Sequence, residues 1–388
     1  MGAQHCDISG LGAVTGYGWG REELWDGLLS GTVAAELLDG HGSEQDKPGW
    51  VAKIADGGDE LDGPSRFARA MRAAAREAIT DARRRGWRPG RQVGLLHAAV
   101  LGDMDSWRDF YTTREADVRV RDYLALMPST PVSTLMQEFG FHGPAMNVSA
   151  TCASGNAALI TAKAWLDAGV VDDVVFVATD LSSTPETVRH FNRLGVAVTD
   201  TEPLQACRPF QEGSQGFIMG EASVAMVLSK RTPAPYARVL GGAMSHDAHH
   251  VTSVDPSGAE ISRCFRMALD NAGVAASEVD HLNAHGPGTA QCDRTEAGIF
   301  DEMFSPHARL YSVKPLVGHC MGAASAVEIA VAALGYERGT IPAPPTVAPG
   351  HSRLLDGPGD ATEGITVKSS LGLGGHNSAV VLAPGAPR

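Results

Sequence analysis

A chain of 388 residues, 43% hydrophobic and 20% charged, is long enough for one large or two medium domains with a sizeable core. Its formal net charge of −13 disfavours general binding to nucleic acid or to an anionic membrane surface. No apolar run reaches the ~18 residues of a membrane span, the N-terminus shows no charged-then-apolar signal pattern, and six scattered cysteines without a CxxC pair fit a reducing cytoplasm.

Residues 6–14 read as a strand running into a glycine-rich turn. Gly16, Gly18 and Gly20 do not have the spacing of a dinucleotide fingerprint. A helix is predicted over 21–29, then a polar surface stretch over 31–64 with a strand near 51–54. Residues 65–85 form a strongly amphipathic helix, apolar at Phe67, Ala70, Met71, Ala74, Ala78 and Ile79. A buried strand over 93–100 precedes an irregular, charged segment over 102–121 and a short helix over 131–139. The next strand-like run ends at Thr151, and an alanine-rich helical pattern follows Cys152. Apolar strands are expected over 174–178 and 223–228. The pattern then restarts, with strands over 237–240, 279–283, 309–313, 365–369 and 379–382 and helices over 260–272 and 322–336. Continuously apolar strands alternating with helices indicate a largely parallel sheet covered on both faces. Each half places polar, reactive residues between a strand and an alanine-rich helix, which suggests a duplicated α/β unit divided into 1–232 and 233–388.

Four clusters carry the chemistry. Cys152 sits at a turn before a helix, flanked by Ala150, Ala153, Ser154 and Gly155. A thiol at a helix N-terminus is expected to ionise below its free value of ~8.5, and free N–H groups there can hold an oxyanion. His285 ends a strand at the start of Gly286-Pro287-Gly288-Thr289, with Asp293 and Glu296 following. Lys314 and His319 lie just before a second helix, with Glu328 one helical face further on. The glycine turn over 371–377 offers backbone N–H groups to a developing negative charge. Taken singly, these residues also suit a structural cysteine, a turn histidine, a solvated lysine and a tight loop. A zinc site from His246, Asp247, His249 and His250 has loose spacing.

In their joint order these segments resemble the elongating β-ketoacyl-acyl carrier protein synthases of the thiolase superfamily. The likeness runs nearly end to end: Ile8 to Thr15, Met127-Pro-Ser129, the Cys152 turn, Cys207-Arg-Pro-Phe210, Gly220-Glu-Ala222, Asp247 to Thr252, His285 to Thr289, Lys314 with Gly318-His319, and Gly372 to Asn377. The resemblance implies a duplicated thiolase fold, layered α-β-α-β-α, with two mostly parallel mixed sheets. It implies an acyltransferase that condenses an acyl-thioester on Cys152 with a decarboxylating malonyl extender. His285 and His319 would bind the extender carbonyl and Lys314 would fix His319, supported by Glu296, Asp293 or Glu328. The N–H groups of Cys152 and Leu373 would form the oxyanion hole. His250, Thr252, Pro287, Thr289, Leu371 and Leu373 would line the phosphopantetheine channel. No metal or redox cofactor is implied. The implied partners are an acyl carrier protein and a second synthase-like subunit, in a homodimer or heterodimer meeting through the strand at 145–148.

The chain departs from the family pattern at Pro287, where a threonine is common, and at Leu371 and Leu373, where two phenylalanines are usual. Ser214-Gln215-Gly216 replaces a charged pattern, and the segment 102–121 is short; in the family it helps form the acyl pocket. These departures point to specialised natural-product synthesis, polyketide or fatty-acyl. They also keep open an enzyme using a non-malonyl nucleophile, while Cys152 argues against a non-catalytic partner subunit. Carrier proteins of this kind are usually acidic, so a local basic face is expected, with Arg66, Arg69, Arg72 and Arg76 on the helix over 65–85 as its candidates.

Overall fold

The computed structural model describes residues 5–113, 117, 119–361 and 363–385. The first half supplies strands β1 (Cys6–Thr15), β2 (Val93–Ala98), β3 (Ala145–Val148), β4 (Asp173–Asp180) and β5 (Ala222–Ser229). Its main helices are α1 (Arg66–Arg84), α2 (Ser129–Phe139) and α3 (Ser154–Asp167). The second half supplies β6 (Ala237–His246), β7 (Val279–Asn283), β8 (Arg309–Tyr311), β9 (Ile365–Gly372) and β10 (His376–Pro384). Its main helices are α4 (Ala259–Ala272), α5 (Ala290–Met303) and α6 (Ala324–Arg338).

The duplication is plain in the sheet topology. Strand order is β3-β2-β4-β5-β1 in the first half and β8-β7-β9-β10-β6 in the second. The pairings repeat as well: parallel, parallel, antiparallel, antiparallel, in both. Four strands of every five therefore run one way. The two sheets meet where β1 pairs antiparallel with β6 over Cys6–Ile8, so one hydrogen-bonded path crosses the molecule.

Helix composition assigns the layers. α1 is one-sided and buries Phe67, Ala70, Met71, Ala74, Ala78 and Ile79 against β1, β4 and β5. Gly10 and Gly12 on β1 permit the close approach, since a Cβ at either would collide with the backbone of Ala78 or Ala74. Ser65 caps the helix by accepting from the N–H of Ala68 at 3.1 Å. α4 covers the other outer face, against β6 and β10. α6 is buried on every side from Ala324 to Tyr336, because it lies with α3 between the two sheets. The result is five layers, α-β-α-β-α.

Three local expectations need correction. The segment over 102–121 is not irregular: it holds helices Met104–Thr112 and Val120–Ala125, while residues 114–116 and 118 lie outside the described residues. Asp103 caps the first of these helices, and the rings of Trp107, Phe110, Tyr111 and Tyr123 pack together along the pair. Local capping and ring packing outweigh the charged composition there. The strand near 51–54 is Gly49–Val51. The helices Pro185–Arg193 and α5 were not foreseen.

Candidate active site

Two strand-to-helix turns, one from each half, meet at the N-termini of α3 and α6. The contact is tight: Ser325 Oγ accepts from the N–H of Asn156 at 2.9 Å, and a Cβ on Gly155 would collide with that hydroxyl. Cys152 precedes α3 on a strained turn, with Thr151 at φ 49°. The turn is clamped from the glycine loop between β9 and β10. Thr151 Oγ1 donates to the carbonyl of Leu373 at 3.1 Å, and Ser370 Oγ donates to the carbonyl of Cys152 at 2.9 Å. Gly372 has no room for a side chain because its Cβ would overlap Thr151 Oγ1.

Cys152 Sγ and a ring nitrogen from each of His285 and His319 lie within 4.8 Å of one another, and all three residues are buried. This is also the one set of three His, Cys or acidic side chains among the described residues whose donor atoms could hold a metal ion. The zinc candidates do not assemble as such a set. His246 packs its ring on His376, Asp247 is bonded by Asn377, and His250 Nδ1 accepts from Thr252 and Ser253.

Hydrogen bonding fixes both imidazole tautomers. The N–H of Met321 donates to His319 Nδ1 at 3.0 Å, leaving the ring proton on Nε2. Lys314 Nζ lies 3.5 Å from His285 Nδ1, and an ammonium only donates, so His285 also carries its proton on Nε2. Burial holds both rings well below the usual histidine range, and the Lys314 charge depresses them further. The site therefore holds two neutral imidazoles, each a single N–H donor, beside a thiol.

The thiol departs from the expectation of a lowered pKa. Burial pushes Cys152 up to about 11, against the opposing effects of Lys314 and the N–H of Leu373. Cys152 sits ahead of Ala153, the N-cap of α3, and desolvation exceeds what the end of a helix dipole supplies. The N–H groups of Leu373 and of Cys152 itself, the two named for the oxyanion hole, both favour the ionised sulfur.

The supporting residues divide the work differently from the sequence expectation. Lys314 pairs with Glu328 and also donates to the carbonyl of His285, so it fixes His285 rather than His319. Glu296 does not touch Lys314. Its two oxygens accept from the N–H groups of His285 and Gly286, each at 2.9 Å. Asp293 ties that loop to the 207–210 segment through the N–H groups of Gly288 and Phe210, each at 3.2 Å, and burial raises it to about 7.

A cavity of about 200 Å³ opens onto Cys152, His285 and His319. Thr252, Pro287, Thr289, Leu371 and Leu373 line it; His250 is exposed and outside the lining. Phe191, Val196, Phe217, Met321 and a second thiol, Cys292, also line it and were not singled out in the sequence. None of the described residues of the segment over 102–121 is part of this lining. It borders a separate cleft of about 650 Å³ beside Arg66 and Arg69. The expected basic face on α1 is not free. Arg66 pairs with Glu221 and Asp105, Arg69 with Asp56, and Arg72 and Arg76 with Asp62 and Glu138. Helical spacing brought the arginines together, but carboxylates from neighbouring loops and α2 neutralise them.

Known proteins share this arrangement. The Beta-ketoacyl synthase, N-terminal domain matches residues 5–234 and the Beta-ketoacyl synthase, C-terminal domain matches residues 236–347. The tetracenomycin polyketide synthase ketoacyl synthase alpha subunit of Streptomyces glaucescens is 30% identical over 422 aligned positions, covering 97% of this chain and 96% of that one. Two solved structures share the fold. A type II polyketide ketosynthase, solved with its acyl-carrier protein and bound to a hexaketide, superposes with a TM-score of 0.85 at 21% identity, over 98% of this chain and 99% of that one. A ketosynthase in complex with its chain length factor from Xenorhabdus doucetiae superposes with a TM-score of 0.84 at 23% identity, over 98% of both chains. With both domain matches and a relative aligned over nearly the full length, the chain belongs to the β-ketoacyl synthase family of acyltransferases.

Proposed function

We propose that this protein carries out decarboxylative condensation of an acyl-thioester with a malonyl-carrier extender, in polyketide or specialised fatty-acyl synthesis. The observation that carries the reading is the pair of neutral, Nε2-protonated imidazoles converging beside Cys152, whose turn is clamped from β9 and the glycine loop. In the first half-reaction Cys152 attacks the acyl carbonyl. The carrier's pantetheine thiolate leaves and takes the thiol proton, and the carbonyl oxygen rests against the N–H groups of Cys152 and Leu373. In the second, the malonyl thioester oxygen accepts from His285 and His319. The bond to CO2 breaks, its electron pair becomes the enolate, and the enolate carbon attacks the acyl group on Cys152. The thiolate of Cys152 is released and reprotonated by solvent. Neutral donors suit this step because the charge that develops is negative.

The division into 1–232 and 233–388 belongs to the same reading and is supported by the repeated strand order. So do a carrier protein as substrate donor, a cytoplasmic setting, and a dimer through β3. β3 is the terminal strand of its sheet, with Ala145, Met146 and Asn147 exposed. No helix among the described residues is long and apolar enough to cross a membrane. A second reading, a non-malonyl nucleophile, is favoured by Pro287, Leu371 and Leu373, which leave that stretch of cavity wall without a hydroxyl or an aromatic gate. Incubation with an acyl-carrier thioester followed by intact-mass measurement tests acyl loading. CO2 release from the malonyl-carrier substrate tests the extender, and loading without CO2 release would favour the second reading.

A further inference from the structure

Lys368 is wholly buried on β9, yet nothing in the proposed reaction uses it. Its ammonium lies 2.8 Å from Glu328 Oε2 and donates to the carbonyls of Asn283 and Ala284, each at 3.2 Å, and of Ser369. Glu328 is thus shared: Lys314 holds one oxygen and Lys368 the other. Two ammoniums against one carboxylate leave this triad with one net positive charge, on the Nδ1 side of His285. The next residue completes the clamp, for Ser369 Oγ accepts from the N–H of His285 at 3.1 Å and donates to Glu296. β9 therefore grips the peptide entering His285 by its carbonyls through Lys368 and by its N–H through Ser369.

We infer that Lys368 is a positioning residue that fixes the peptide before His285 and prevents Glu328 from neutralising Lys314, so that His285 stays a neutral Nε2–H donor. The inference deepens the proposed function and rests on its assignment of His285 as a donor to the extender. The groups bearing on His285 are Lys314 and His319 from the turn before α6, Glu328 from α6, Glu296 and Asp293 from α5, Cys152 before α3, and Lys368 itself. Removing Lys368 takes the triad to zero net charge. A nearby positive charge disfavours the imidazolium, so its loss raises the pH at which His285 protonates.

The test is the titration of His285 followed by nitrogen NMR in 15N-histidine-labelled protein, with His285→Gln to assign the resonance. Lys368→Gln keeps an N–H donor for the carbonyls and removes the charge. Lys368→Met removes both. In both variants His285 should titrate at least about one pH unit higher than in the parent, a tenfold change in proton affinity. The acid limb of CO2 release should move with it, while acyl loading of Cys152 at alkaline pH changes less than about threefold. Adding Glu328→Gln to Lys368→Met restores one net positive charge and should bring the titration back. An unchanged His285 titration, or failure of both single variants to fold, overturns the inference and leaves Lys368 a structural residue. A shifted titration in a protein whose parent form releases no CO2 sinks the proposed function instead.

Discussion

Replacing His319 separates its chemistry from its role in folding. The ring does two things. Nε2 carries the proton facing the cavity, and Nδ1 accepts from the N–H of Met321 at 3.0 Å. Met321 sits at φ 47°, a conformation that an L-residue adopts only when its surroundings impose it. His319→Ala deletes both functions. Losing a preorganised donor costs about 10²–10³ in rate, roughly 2.7–4 kcal/mol. Leaving the buried Met321 N–H unpaired costs a further ~1–3 kcal/mol of stability. His319→Asn divides the two, because its Oδ1 can take the place of Nδ1 while its amide N–H2, on a shorter side chain, falls short of the position of the Nε2 proton. Both variants should lose CO2 release by about 10²–10³, and only the alanine variant should melt at a clearly lower temperature. The assays are CO2 evolution from malonyl-carrier substrate, intact mass for the acyl-enzyme, and a thermal melt. Acyl loading should stay measurable in both variants. If His319→Asn releases CO2 as fast as the parent, His319 is a structural residue and the enolate argument fails.

Four further outcomes are expected. Cys152→Ala should abolish loading, whereas Cys152→Gln, which places a neutral amide where the acyl-thioester would sit, should raise malonyl decarboxylation without condensation; CO2 and product assays read both. Because burial lifts the Cys152 thiol to about 11, its alkylation by iodoacetamide should climb about tenfold per pH unit between pH 7 and 9 while outpacing the other five cysteines; a plateau near pH 7 would show a preformed thiolate. Asp293 binds its proton more tightly folded than unfolded, so stability should fall as pH rises from about 4, the unfolded range, to about 7, its folded value; Asp293→Asn should flatten that slope in denaturant titrations, at ~1–3 kcal/mol because an amide oxygen serves only one of its two N–H partners. Met146→Asp on the exposed edge strand should convert a dimer to a monomer in light scattering, and an unchanged mass would place the interface elsewhere.

What the sequence disclosed followed the reach of each signal. Apolar runs located nearly every strand of the two sheets, because strands buried on both faces leave no alternation to misread. α1 came out within a residue at each end, since one-sided periodicity and a serine cap act locally. Cys152, His285, Lys314 and His319 stood out as reactive residues in small-residue turns, and the fold brings them together. The errors came from partners distant in the chain. Four arginines on one helix face looked like a basic patch until Asp56, Asp62, Asp105, Glu138 and Glu221 arrived from other elements. Glu328 pairs with Lys314, as its place one helical face on allowed, but Glu296 does not, because backbone N–H groups, invisible in a residue list, claimed it. Lys368 went unremarked although a lysine inside an apolar strand was a visible anomaly; only its contact with Glu328 gives that anomaly a meaning.

Desolvation accounts for both the strength of the site and its cost. The same burial that makes Cys152 reluctant to ionise also keeps His285 and His319 neutral, and only neutral rings leave the Lys314 charge free to favour a developing anion. A more open cavity would free the thiolate but would also hydrate the rings and the enolate. The duplicated fold resolves the conflict by assigning the two demands to different halves. The first half holds the thiol on a strained turn, where its own N–H and that of Leu373, supplied by the glycine loop of the second half, oppose the rise of its pKa. The second half buries its lysines and glutamates behind the histidines, in a cluster whose backbone bonds to the 283–286 peptide fix the His285 ring before substrate arrives. Since those bonds are made without substrate, their cost falls on folding stability, and none of it is added to the barrier.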